Sequence, residues 1–187
     1  MVQASAKAMT LEQFLQLPET TPASEYGDGT IMQKPMPQGE HSTLQRELLI
    51  GIDSVVKAAK VARAFPELRC TFGGRSIVPD VAIFSVDRIP RQENGRIANV
   101  FSLAPDWTIE ILSPDQNPTK VINNILHCLD HGCQMGWFVD PTVQTVIAYP
   151  AESRSRSFFR ATDVLPAPEW AQAVELTISQ LFGWLSE

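Results

Sequence analysis

Two apolar runs, each interrupted by one acid, restrict what this chain can fold into more than any other feature. Residues 77–86 read IVPDVAIFSV, and thirty positions beyond Asp80 the acid Glu110 interrupts WTIEILSPD. Both runs have the β-branched, apolar character of strands that enter a core. Burying a charge there without a partner is strongly unfavourable. Either acid taken alone can be satisfied by solvent or by an arginine such as Arg75. If the strands are neighbours, the two side chains converge and present hard oxygen ligands of the kind that suit Mg²⁺ or Mn²⁺. Such an ion can polarise a phosphodiester and lower the pKa of an attacking water.

The surrounding pattern is that of one domain. Residues 9–17 predict a short helix, with Thr10 as N-cap and Gln13 completing a capping box. The Asp28-Gly29 pair, followed by TIMQK, predicts a small hairpin. Between Gly39 and Lys60, Leu44, Leu48, Leu49, Ile52, Val55, Val56 and Ala59 recur at helical spacing. Pro66 and Gly73-Gly74 break the pattern, and strands are expected over 67–72, 77–86 and 106–113. The segment from Asp87 to Pro105 reads as a polar loop or extended hairpin. Asn117 and Pro118 have helix-start chemistry, Lys120 falls in the first turn, and Gly132 suits the stop after His131. QMGWFVDP and QTVIAYP then predict an antiparallel strand pair, SRSFFRATDVL a weaker strand, and ELTISQLFGWL an apolar end that docks on the core. The expected class is α/β (α+β), with a central mixed sheet flanked by helices. Its single domain over 1–187 divides into an N-terminal helix and hairpin (1–38), a core (39–150) and a C-terminal extension (151–187).

Composition narrows the function classes. With 44% hydrophobic and 19% charged residues, the chain can build an ordinary globular core. No apolar run approaches the roughly 18–20 residues of a membrane span. The N-terminal segment lacks the apolar centre of a secretory signal, so a cytoplasmic location is expected. Cys70, Cys128 and Cys133 form no zinc-site spacing. His127 and His131, four apart on a helix, have two ligands' worth of metal geometry and no evident third. The net charge of −6 argues mildly against polyanions, yet Lys57 to Arg96 holds eight basic residues against four acids. A local basic zone of this kind is compatible with phosphate contacts, and equally with charges scattered over a solvated surface.

Taken together, VPDVAIF and TIEILSPD resemble the PD-(D/E)xK nuclease superfamily, in particular its putative restriction endonuclease branch. SEYGDGTI is similar to that branch's YExxDGxI hairpin through Glu25, Asp28 and Gly29, with Ser24 departing from tyrosine. His41 matches a helix-opening histidine, and Gly132, Trp137, Asp140 and Pro141 match a post-helix G-x-x-x-x-W-x-x-DP strand. The resemblance implies a restriction-endonuclease-like core and a Mg²⁺- or Mn²⁺-dependent endodeoxyribonuclease. Asp80, Glu110 and the Ile111 carbonyl would be metal ligands.

In the superfamily pattern a lysine stands two residues after the second acid, where this chain has Leu112. In the branch it is often displaced into the next helix, where this chain has Asn124, with Cys128 in place of the usual tyrosine. Lys120, one turn before Asn124 on the same face, is therefore the candidate catalytic lysine. Glu25, His41 and Glu47, with Glu40, are secondary candidates for completing the site. Arg69 and Arg75 are candidates for contacting DNA. The resemblance also allows a homodimer, although no stretch identifies an interface. Leu112, Asn124 and the acidic balance motivate a rival expectation: a catalytically impaired nuclease fold acting as a nucleic-acid-binding or assembly module. A sugar- or nucleotide-binding enzyme has no glycine-rich phosphate loop to support it.

Overall fold

A computed structural model describes residues 9–186. The first helix, α1 (Leu11–Phe14), is one turn long, shorter than the expected 9–17; both capping-box hydrogen bonds between Thr10 and Gln13 are present. The hairpin forms as expected, β1 (Ser24–Gly27) pairing with β2 (Thr30–Gln33). Asp28 and Gly29 both have positive φ, 53° and 79°, the signature of the tight turn that matches strand twist. Helix α2 (Gly39–Ala58) buries His41, Leu44, Leu48, Ile52 and Val56 along one stripe, the spacing its sequence dictates.

The next region differs from expectation in two places. Residues 62–66 form a strand, β3 (Ala62–Pro66), and the expected 67–72 strand shrinks to β4 (Cys70–Phe72). The expected 77–86 strand is two strands in different sheets, β5 (Arg75–Ile77) and β6 (Val81–Ser85). Between them Val78-Pro79-Asp80 crosses from one sheet to the other. Pro79 has no N–H to give a ladder, so the break falls where the sequence removes a donor.

The remaining elements are β7 (Trp107–Ile111), α3 (Pro118–Leu129), β8 (Met135–Asp140), β9 (Thr145–Pro150), β10 (Arg156–Phe158) and α4 (Ile178–Gly183). Asn117 caps α3 through the Thr119 N–H, and Pro118 opens it, as expected. The six-stranded sheet has the order β10-β9-β8-β7-β6-β3, and the four-stranded one β2-β1-β5-β4. Among the named strands only β7 and β8 pair in parallel, joined by the α3 crossover. A mixed six-stranded sheet and an antiparallel four-stranded sheet, flanked by helices, are thus the architecture, in agreement with the expected class.

Period-two alternation sorts the large sheet's faces. Val81, Ile83, Trp107, Ile109 and Ile111 enter the main core, with the α2 stripe and the C-terminal residues Leu176, Ile178, Leu181 and Phe182. Ala82 and Phe84 point the other way, into a second core with Cys70, Ile77, Phe101 and Cys128. Crossover helix α3 lies close on β8: a Cβ at Gly136 would come within 2.2 Å of Ile125 Cγ2. Among the described residues no helix is long and apolar enough to cross a membrane.

Candidate active site

The register of β6 against β7 decides where the two acids go. Val81 pairs with Ile109, Ala82 with Thr108 and Ile83 with Trp107, in antiparallel sense. One further step sets Asp80 opposite Glu110, on the face shared by Ala82 and Thr108 and away from the main core. Directly opposed residues on one face come close enough to interact. Both acids are buried, at 1% and 3% exposure, so neither escapes to solvent.

A lysine that the sequence reading passed over joins them. Lys34 follows β2, and its Nζ lies 2.6 Å from Asp80 Oδ1 and 3.9 Å from Glu110 Oε2. The ammonium also donates to the Val78 carbonyl at 2.8 Å. Asp80 Oδ2 accepts from the Ile111 N–H at 2.7 Å and lies 3.2 Å from His41 Nε2. Gln45, on the same face of α2 one turn after His41, donates to the Asp80 carbonyl. Every oxygen of Asp80 is therefore engaged. Glu110 Oε1 has no hydrogen-bond partner, and neither has His41 Nδ1.

Electrostatics separates the two acids. Burial opposes ionisation of Asp80, but the Lys34 ammonium and His41 overcome it and hold its pKa at about 2. For Glu110, burial dominates; with the Asp80 and Glu25 carboxylates adding to it, its pKa is pushed well above the ordinary value despite Lys34. Lys34 is raised above the usual lysine value: burial works against its charge, and Asp80, Glu110 and Glu25 outweigh that.

The secondary candidates divide. Glu25 belongs to the group, accepting from the Val78 N–H at 2.8 Å and from Asn124 Nδ2 at 3.0 Å. It thereby ties the hairpin to the sheet crossing and to α3. His41 is at the site; Glu47 is not, standing beside exposed Arg46 at 3.3 Å. Glu40 is exposed at the start of α2. Lys120 is exposed and lines the same cleft of about 300 Å³ as Glu25, Lys34, Glu110 and Asn124. Arg69 clamps the fold, donating to the Ser24 carbonyl, Ser76 and Glu19. Arg75 pairs with Asp28 at 2.6 Å and lines an adjoining pocket with Lys120, Asn123 and Asn124. His127 and His131 are tied to the β4–β5 turn, His127 Nε2 lying 3.1 Å from the Phe72 carbonyl and both rings packing on Phe72.

Among the described residues no group of three or more His, Cys, Asp or Glu side chains is gathered to hold a metal ion. A cation here would rest on two carboxylates, with main-chain and water oxygens completing its shell, which suits Mg²⁺ because that ion usually retains several waters. The buried, unpartnered Glu110 Oε1 supplies one such ligand atom. A bound cation would favour the ionised form of Glu110 and offset the negative charge of Asp80, Glu110 and Glu25 that Lys34 alone does not balance. The donor set fits a hard divalent ion.

A mixed sheet that carries two opposed acids beside a helix-lined cleft is an arrangement suited to a nuclease-like fold. The structure superposes with TM-score 0.93 on the crystal structure of a putative nuclease belonging to DUF820 from Anabaena variabilis ATCC 29413. The two are 58% identical over 95% of this chain and 99% of that one. The sequence matches the Uma2 family, described as putative restriction endonuclease, across residues 11–179. This chain belongs to that family. The search of curated proteins found no match.

Proposed function

We propose that the protein is a divalent-metal-dependent endonuclease that hydrolyses DNA phosphodiester bonds. One observation carries this reading: Asp80 and Glu110, distant in sequence, meet in a buried site where Glu110 keeps an unpartnered oxygen. Such an acid is a liability for folding, and it is useful where a cation must be held. Asp80, Glu110 and the Ile111 carbonyl would hold Mg²⁺ or Mn²⁺, which when bound polarises the phosphodiester and lowers the pKa of water.

The chain's own residues position the rest. The Ile111 N–H and His41 fix the Asp80 carboxylate, and Glu25 pins the sheet crossing that carries Asp80. Lys120, which lines the cleft, and Arg75, which lines the adjoining pocket, would contact the phosphate backbone of the substrate. The family described as putative restriction endonuclease supports a nucleic-acid substrate. Leu112 and Asn124 motivate the rival, catalytically impaired reading, but the ammonium of Lys34 beside both acids supports the enzymatic one.

A supercoiled-plasmid assay tests the proposal. Nicking is expected with Mg²⁺ or Mn²⁺, suppression by EDTA, and a loss of at least about 10³-fold in Asp80→Asn. No nicking by the wild type with either metal, or full activity in Asp80→Asn, would overturn it.

A further inference from the structure

The two positions at which a catalytic lysine was expected are engaged elsewhere. Leu112 packs against Val121, Ile125 and Phe138, and Asn124 donates to Glu25. Lys120 is exposed and, among the described residues, has no ion pair within 4.0 Å. Lys34 alone among these lysines touches an acid of the pair.

Its placement is set by the chain. β2 ends at Gln33, the Lys34 N–H donates to the Ala23 carbonyl at 2.9 Å, and Pro35 prevents the ladder from continuing. The side chain, 10% exposed, then lines the cleft. An ammonium carries three N–H donors. The Val78 carbonyl and Asp80 Oδ1 take two, while Glu110 Oε2 at 3.9 Å is beyond hydrogen-bond distance. One donor therefore remains for a ligand in the cleft. A charge so largely buried acts more strongly than one in bulk water.

We propose that Lys34, contributed by the N-terminal hairpin, is the catalytic lysine of this nuclease; the assignment rests on the reading above. Lys34 orients the attacking water and offsets negative charge developing on the phosphoryl oxygens, remaining protonated throughout. The water oxygen forms the new bond to phosphorus, and the phosphorus–sugar oxygen bond breaks with its electron pair on the sugar oxygen. One water proton leaves to solvent and the departing alkoxide takes one back, giving a phosphomonoester and an alcohol. The same ammonium shares the carboxylates that would hold the cation, so it competes with that cation.

Two readouts on full-length protein test this: plasmid nicking, resolved into kcat and KM, and Mn²⁺ affinity by calorimetry. Lys34→Met is expected to lower kcat by about 10²–10³-fold, while Mn²⁺ binds at least as tightly as to wild type. Lys34→Gln, which keeps donors for Asp80 and Val78, should show the same split and covers the case in which methionine disturbs the fold. Lys120→Ala should act mainly through KM. Variants of Lys34 that nick at wild-type kcat, or that lose Mn²⁺ binding in step with activity, overturn the assignment, as does a kcat collapse confined to Lys120→Ala. A wild type that nicks nothing fails at the nuclease reading itself, and the assignment falls with it. An active wild type matched by both Lys34 variants removes Lys34 alone.

Discussion

Replacing Glu110 by glutamine should stabilise the metal-free protein. Glu110 is 3% exposed, its Oε1 has no partner, and burial with two neighbouring carboxylates pushes its pKa well up. At neutral pH the folded chain must either ionise the acid in place or hold a proton that the unfolded chain releases. Either way the folded state is penalised; an unsatisfied buried group of this type costs about 1–3 kcal/mol. Glutamine keeps the shape and removes the charge, so a gain of roughly 1–3 kcal/mol is expected, or about 2–4 °C in Tm for each kcal/mol in a chain of this size.

The pH dependence follows from the direction of the shift. Between Glu110's unfolded and raised native pKa, the native state binds more protons than the unfolded one, so wild-type stability falls as pH rises through that window. Glu110→Gln lacks this slope. Its advantage should be small in the ordinary glutamate range and reach full size above the native pKa. Thermal melts in EDTA at about pH 5 and about pH 8 measure both. Saturating Mn²⁺ should reverse the order, since a ligand at 100 times its Kd stabilises by about 2.7 kcal/mol and the variant has lost a ligand atom. A variant that melts at or below wild type in EDTA at the higher pH would show that the Glu110 carboxylate is well satisfied, and the reasoning would fail.

Gly136→Ala should destabilise by about 1–3 kcal/mol through overpacking, because its Cβ would strike Ile125 on α3; denaturant titration reads the loss, and an unchanged midpoint would contradict the close approach. Burial raises the pKa of Cys70 and Cys133 to about 12 and that of Cys128 well up, so all three thiols should resist a disulfide reagent in native buffer and react on unfolding. Prompt native labelling would show the second core to be open.

Local signals were legible because neighbours in sequence create them. Thr10 and Gln13 close a capping box, Asp28-Gly29 makes the hairpin turn, and Asn117-Pro118 starts α3. The α2 stripe follows from spacing alone. The misreadings lie where strand identity depends on pairing: β3 is an edge strand that gains its character only against β6. The single run 77–86 conceals a change of sheet at Pro79, visible beforehand only as a proline inside an apolar pattern.

The sequence by itself marked Asp80 and Glu110 as unusual, since a lone acid within an apolar strand needs a physical reason. It could not say that the register of β6 on β7 opposes them, because register is settled by which residues the core buries. Nor could it single out Lys34 from the other lysines: its sequence neighbours signal only the end of a strand. Tertiary structure brings that ammonium to the acids across 46 positions to Asp80, as one sheet hands its chain to the other. Charge pairing is a property of distance in space, and only the folded chain sets that distance.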